Sequence, residues 1–313
     1  MTRSANTATS PTLPAGVVLF ERGWLSSNNI LIVTPHSCTL IDSGYATHAE
    51  QTMLLVDSVV GDRPLQRLIN THLHSDHCGG NAALQARYPA METWIPPGQS
   101  EDVALWNQDA LSYQVTGQQC PRFGFSKLLM PGSDIEIGEK HWQVHAAPGH
   151  DPDAVLLFEP EDRLLISADA LWNNGFGVVF PEIDGIDAFD SVQETLDLIE
   201  RLDAALVIPG HGPAFTDVGP ALERARRRLA QFRREPAQHS RYAAKALLKF
   251  KLLEMQSMPL HELEDWMLAT KVMQHIHERH PNGLNYKNWA SGVVHDLVAS
   301  GAARVQNGAL YNS

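Results

Sequence analysis

The stretch Thr71-His72-Leu73-His74-Ser75-Asp76-His77-Cys78-Gly79-Gly80 decides how the rest of the chain is read. It sets three imidazoles and a carboxylate within six positions, after the apolar Leu68-Ile69 and ahead of a helix-like segment. Such side chains oppose water-excluding packing, and their nitrogen and oxygen donors suit a borderline divalent cation such as zinc. Three later fragments supply candidate partners: Pro148-Gly149-His150-Asp151, Ser167-Ala168-Asp169-Ala170 and Pro209-Gly210-His211-Gly212. Each follows an apolar, strand-like run, so its polar residue falls at a strand end, where loops on one edge of a sandwich converge. One such histidine alone is more often a satisfied polar residue than a ligand. The joint arrangement carries the argument.

Working outward, short β-branched runs at 16–20, 30–34, 38–41 and 68–69 predict one group of strands. Runs at 127–130, 135–137, 142–146, 154–158, 164–167 and 205–208 predict a second. Helical spacing appears over 46–60, from about residue 80, and over 188–202. Strands in two groups with helices interspersed predict an α/β protein with helices outside two facing sheets. Residues 95–127 are irregular and aromatic, and read as a cap or substrate loop. Beyond 220 the spacing is helical over 222–232, 242–255, 260–268, 271–280 and 286–300, before a hairpin around Asn307-Gly308.

A length of 313 residues accommodates one large domain and a smaller one. The expected division is a flexible start at 1–14, a main domain at 15–215 and a helical domain at 216–313. Charge supports it: residues 1–215 hold 10 Lys and Arg against 27 Asp and Glu, whereas 216–313 hold 14 against 9. Part of the upstream acidic excess is what a dication would neutralise. The basic tail is too weakly charged to be a nucleic-acid surface by itself. A hydrophobic fraction of 43% and a charged fraction of 19% fit an ordinary soluble globular protein, and no apolar run has the length to span a bilayer. Cys38, Cys78 and Cys120 lack Cys-x-x-Cys spacing, which predicts a reducing compartment. With a start that lacks an export-like apolar segment, the expected location is cytoplasmic and no membrane partner is expected.

The pattern His-x-His-x-Asp-His with the later His and Asp fragments resembles the metallo-β-lactamase superfamily of metal-dependent hydrolases. The resemblance covers roughly residues 15–215 and implies a four-layer αββα sandwich. The tail resembles a smaller, winged-helix-like C-terminal domain. Carried over by position, it implies one metal on His72, His74 and His150 and a second on Asp76, His77 and His211, bridged by Asp169. Two divalent ions are implied, zinc in the first place, with iron or manganese accepted by the same donors. Water shared between them would be the nucleophile, with Asp76 orienting it as the catalytic residue. Asp42, in Leu40-Ile41-Asp42-Ser43-Gly44, would stand behind the ligand loop as a partner for one histidine.

An aspartate at 169 argues against the antibiotic-degrading branch, where cysteine or serine is usual, and the loop with its trailing Gly79-Gly80-Asn81 is most similar to the glyoxalase II type. Lactonases of the superfamily place a tyrosine soon after the bridging aspartate, and residues 171–177 contain none. Where relatives often read Thr-Pro-Gly after the third fragment's histidine, this chain has Asp151-Pro152-Asp153, which disfavours a polyanionic substrate. The expected activity is hydrolysis of a small acyl-thioester or related activated ester, because a thiolate leaves without a general acid. Trp106, Tyr113, Trp172, Phe176 and Phe180 are expected to line an acyl channel, and Arg241, Lys245, Lys249 and Lys251 are candidates for an anionic handle. The alternatives are a metal-dependent endoribonuclease or phosphodiesterase using Arg226, Arg227 and Arg228, and a lactonase. Helix 222–232 and the hairpin could support a homodimer.

Overall fold

The computed structural model describes residues 11–279 and 283–313, so most of the start expected to be flexible, and His280, lie outside the described residues. Strands β1 (Val17–Phe20), β2 (Asn29–Val33) and β3 (Cys38–Ile41) form an antiparallel meander, followed by helix α1 (Ala49–Val60). Next, β4 (Arg67–Ile69) pairs parallel to β3, and α2 (Ser75–Cys78) and α3 (Asn81–Arg87) lead to β5 (Glu92–Ile95), parallel to β4. Helix α4 (Ser100–Leu105) and the short β6 (Lys127–Leu128) complete a six-stranded sheet. The second sheet contains β7 (Asp134–Ile137), β8 (Lys140–Ala146), β9 (Val155–Glu159) and β10 (Leu164–Ala168), all antiparallel. After α5 (Phe180–Asp184) and α6 (Phe189–Leu202), β11 (Leu206–Pro209) joins β10 in parallel.

The strands read as continuous apolar runs because both faces are buried. Alternate residues explain the layers. Ile30, Ile32, Ile41 and Ile69 of the first sheet meet Val155, Leu157, Ile166 and Ile208 of the second between the sheets. The interleaved Leu31, Leu40 and Leu68 face outward onto Val56, Val60 and Leu84 of α1 and α3. On the other side Leu156, Phe158, Leu165 and Val207 pack against Leu196 and Ile199 of α6. The result is the expected four-layer αββα sandwich.

Helix α7 (Val218–Arg234) buries Leu222, Ala225, Leu229 and Phe232 in this same outer layer. A second core, which also takes in Val178 and Ile183, is built on α8 (Pro236–Met255), which opens on proline, a residue suited to a first helical turn. It is followed by β12 (Ser257–Pro259), α9 (Leu260–Ala269), α10 (Lys271–Glu278), α11 (Tyr286–Ala299), β13 (Ala303–Gln306) and β14 (Ala309–Asn312). Leu248, Leu252, Leu263, Met273, Trp289 and Leu310 are among its buried residues. The expected hairpin is present, with β12 added on its other edge to make three antiparallel strands.

Helix α8 is tied to the sandwich by the buried carboxylate of Glu254. Its Oε1 accepts hydrogen bonds from the Tyr45 hydroxyl at 3.2 Å and from Gln119 Nε2 at 2.7 Å, and Lys251 pairs with Oε2 at 2.8 Å. Among the described residues no helix is long and apolar enough to cross a membrane. Removing a side chain from the seam between the sheets leaves a cavity that close-packed neighbours cannot fill. Ile166→Ala is expected to cost about 3 kcal/mol in denaturant unfolding; a loss below about 1 kcal/mol would contradict this packing.

Candidate metal centre

All seven candidate ligands come from segments that follow strands. His72, His74, Asp76 and His77 lie after β4, His150 after β8, Asp169 at the end of β10 and His211 after β11. The loop after β4 is held from behind by buried amides and a hydroxyl. Asn70 donates to the His77 carbonyl at 3.1 Å, Asn81 donates to Asn70 at 2.7 Å, and Ser43 donates to Asn81 at 2.7 Å. Gly79 and Gly80 are required there by space, since a Cβ on either would come within 2.5 Å of the backbone of the segment that follows β3.

The ligand atoms of His72, His74 and His150 lie within 4.8 Å of one another, and so do those of Asp76, His77 and His211. Asp169 sits between the two groups, with Oδ2 3.4 Å from His150 Nε2 and 3.8 Å from His211 Nε2, and Oδ1 3.5 Å from His77 Nε2. Asp76 Oδ2 is 3.0 Å from His211 Nε2. Gly210 permits this approach, because a Cβ on it would stand 2.2 Å from Asp169 Oδ1.

Hydrogen bonds on the outer side of the rings decide which nitrogens face inward. His150 donates Nδ1–H to the Val178 carbonyl at 2.5 Å, leaving the lone pair of Nε2 toward the centre, 2.8 Å from His74 Nδ1. Asp42, at the end of β3 with a left-handed φ of 58°, accepts from the Thr71 backbone N–H at 2.9 Å and from the Thr71 hydroxyl at 2.8 Å. The same carboxylate lies 2.7 Å from His77 Nδ1, and the Thr71 hydroxyl oxygen lies 3.2 Å from His72 Nδ1. Asp42 thus acts on two histidines, one directly and one through Thr71.

The donor set fits divalent cations. His72 Nε2 and His77 Nε2 are buried without a hydrogen-bond partner, an arrangement costly in the absence of an ion. Burial lowers the pKa of His74 and of His150 to about 4, which keeps both imidazoles neutral and able to ligate. Burial, with His77, His74 and His150 nearby, also holds His72 well below the ordinary range. His77 is the exception. Burial lowers its pKa, but Asp42, Asp169 and Asp76 together raise it well above the ordinary range, so its proton occupies a place where the carboxylates call for positive charge.

The centre opens into a cavity of about 310 Å³ bounded by two parts of the chain. The sandwich contributes Trp24, Trp172, Val178 and Phe180, and α8 contributes Tyr242, Lys245, Phe250 and Leu253. Trp106 and Tyr113, also expected there, are not among its lining residues, whereas Trp172 and Phe180 line it as expected from the sequence. Phe176 does not: it is 1% exposed and packs in the outer core, its ring 6.2 Å from that of Phe232. The turn between them, closed by the Trp172 N–H on the Gly175 carbonyl at 2.6 Å, sends the two aromatics to opposite sides. Trp24, absent from the sequence reading, stacks on the His211 ring at 5.2 Å with planes 8° apart. Tyr242 was also missed. Of the four cations expected near an anionic handle, Arg241 pairs with Asp296, Lys249 binds carbonyls at the end of the chain and Lys251 pairs with Glu254. Lys245 lines the cavity without an ion pair among the described residues.

The metallo-beta-lactamase superfamily model matches residues 22–211. The chain is 28% identical over 169 residues to the acyl-coenzyme A thioesterase MBLAC2 of Gallus gallus, a match covering 50% of this chain and 59% of that protein, less than two thirds of its length. It is 29% identical over 223 residues to a hydroxyacylglutathione hydrolase of Anaeromyxobacter dehalogenans, covering 68% of this chain and 75% of that one. Among solved structures, a metallo-beta-lactamase family protein from Thermus thermophilus superposes with a TM-score of 0.58 at 17% identity, over 96% of this chain and 99% of that one. That last likeness concerns the fold.

Because Asp42 orients His77 directly and His72 through Thr71, Asp42→Ala is expected to weaken metal binding by about ten- to a hundredfold, read by competition with a chromophoric chelator. Gly210→Ala should lower bound metal as well, by displacing Asp169. Unchanged affinity in both variants would contradict the arrangement described.

Proposed function

The chain belongs to the metallo-β-lactamase superfamily, and on that premise we propose that it is a metal-dependent hydrolase of a small acyl-thioester or related activated ester. Two divalent cations, zinc in the first place, would be held by His72, His74 and His150 and by Asp76, His77 and His211, with Asp169 between them. Bound there, they would supply Lewis acidity and lower the pKa of water. Asp76 faces the cavity and accepts the hydrogen bond that aims attacking water at the acyl carbon. Trp24, Trp172 and Phe180 on one wall and Phe250 and Leu253 on the other exclude water from the acyl group and orient it. Lys245 offers a cation to an anionic handle on the leaving group.

The observation that carries this reading is the inventory of acids. Asp76 and Asp169 are the only carboxyl residues among those lining the cavity, and both belong to the ligand set. A leaving group that departs without protonation, such as a thiolate, suits a site so built. The similarity to proteins named as a thioesterase and a hydroxyacylglutathione hydrolase supports the same choice.

A lactone substrate is the second reading, favoured by the phenol of Tyr242, which enters the cavity from α8 and whose pKa burial raises against the lowering influence of the Arg228 guanidinium. The ribonuclease reading loses support. Arg226 is paired with Asp197 and Glu200, Arg227 lies by Glu223, and Arg228 lies over the Tyr242 ring at 4.3 Å.

Elemental analysis with a panel of acyl-thioesters, lactones and short RNA tests the assignment. Two metal equivalents and selective thioester cleavage are expected, with Asp169→Ala abolishing turnover and lowering metal content. Tyr242→Phe should leave thioester hydrolysis within about twofold; selective lactone cleavage that this variant lowers by about a hundredfold, the scale of a missing general acid, would favour the lactone reading. RNA cleavage alone would overturn the substrate choice.

A further inference from the structure

The loop after Asp169 contains a hydrogen bond that the ligand set does not require. Trp172 donates its indole Nε1–H to Asp169 Oδ1 at 3.1 Å. The indole is preset for this. Ser167 Oγ donates to the Leu171 carbonyl at 2.7 Å, the Gly177 N–H returns to the Asp169 carbonyl at 2.9 Å, and Arg224 of α7 donates to the Asn173 carbonyl at 2.7 Å. Gly175 lies so close to Arg228 that a Cβ there would stand 2.5 Å from its guanidinium.

We propose that Trp172 is a positioning residue for the carboxylate of Asp169. Its N–H occupies one acceptor site of Oδ1 and holds the carboxylate rotation in which Oδ2 faces both His150, at 3.4 Å, and His211, at 3.8 Å. Oδ2 then spans the two ligand groups, while Oδ1, held by the indole, also stands 3.5 Å from His77 Nε2. The same ring forms part of the cavity wall, with its centroid 5.2 Å from that of Trp24 and 5.6 Å from that of His211. Substrate wall and bridging ligand therefore meet in one side chain. The inference rests on the metal centre described above and not on the identity of the substrate.

Phenylalanine separates the two roles, since it keeps an aromatic wall and removes the donor. The test is a competitive titration of the metal-stripped 313-residue chain with Zn²⁺ against a chromophoric chelator, in wild type, Trp172→Phe and Arg224→Gln, together with melting of each metal-free form. Trp172→Phe is expected to weaken the lower-affinity equivalent by about tenfold, the scale of a lost partner to a ligand, with the metal-free melting temperature unchanged. Arg224→Gln frees the loop while leaving the indole in place, and should shift affinity in the same direction by less; it decides the matter if Trp172→Phe does not fold. Wild-type affinity in the folded variants overturns the proposal. A wild-type protein that takes up no Zn²⁺ overturns the metal-centre reading instead.

Discussion

The carboxylate of Asp42 is the constraint on which the centre depends. It is 1% exposed, and it meets a backbone N–H, a hydroxyl and an imidazole N–H of a single neighbouring loop. An anion buried this deeply is tolerated only where its acceptor sites are filled, so the loop after β4 has one conformation in which Asp42 is satisfied. That conformation turns the free nitrogens of His72 and His77 inward. The remaining ligands are brought to it by sheet geometry, because β8, β10 and β11 end on the same edge as β4.

The candidate ligand loops were legible in the sequence for a local reason. Imidazoles and carboxylates at the ends of apolar runs are conspicuous, and each fragment lies within a few residues of the strand that positions it. The layers were legible for a similar reason, since runs such as Leu164-Leu165-Ile166 need burial on both faces. The elements missed were short or interrupted. β5 alternates Glu92, Thr93, Trp94 and Ile95, only half of it fully buried, and β12 is three residues ending in proline. Phe176 was placed on the wrong side because the direction of a side chain after a tight turn depends on backbone angles that composition does not show.

The cavity was the least legible part. Trp24 reaches His211 from a position 187 residues earlier in the chain, and Tyr242 and Phe250 arrive from a helix whose apolar spacing equally suits its own core. Nothing local to those residues distinguishes a wall from packing. Only the closing of α8 over the sandwich does so, and that closing runs in part through Glu254, Tyr45 and Gln119, three residues with no motif to announce them.

The Glu254 connection also bears on how such a chain can change over time. The seven metal-capable side chains all reside in the sandwich, whereas the facing wall of the cavity comes largely from α8, joined to the sandwich by the Glu254 bonds and by apolar contacts such as Tyr45 with Phe250 and Phe232 with Tyr242. The helical segment thereby carries one wall, while the sandwich carries both the metal-capable residues and the opposite wall. A lineage can replace residues along α8, or exchange the helical segment altogether, and acquire a new diet of substrates while the inherited chemistry stays intact.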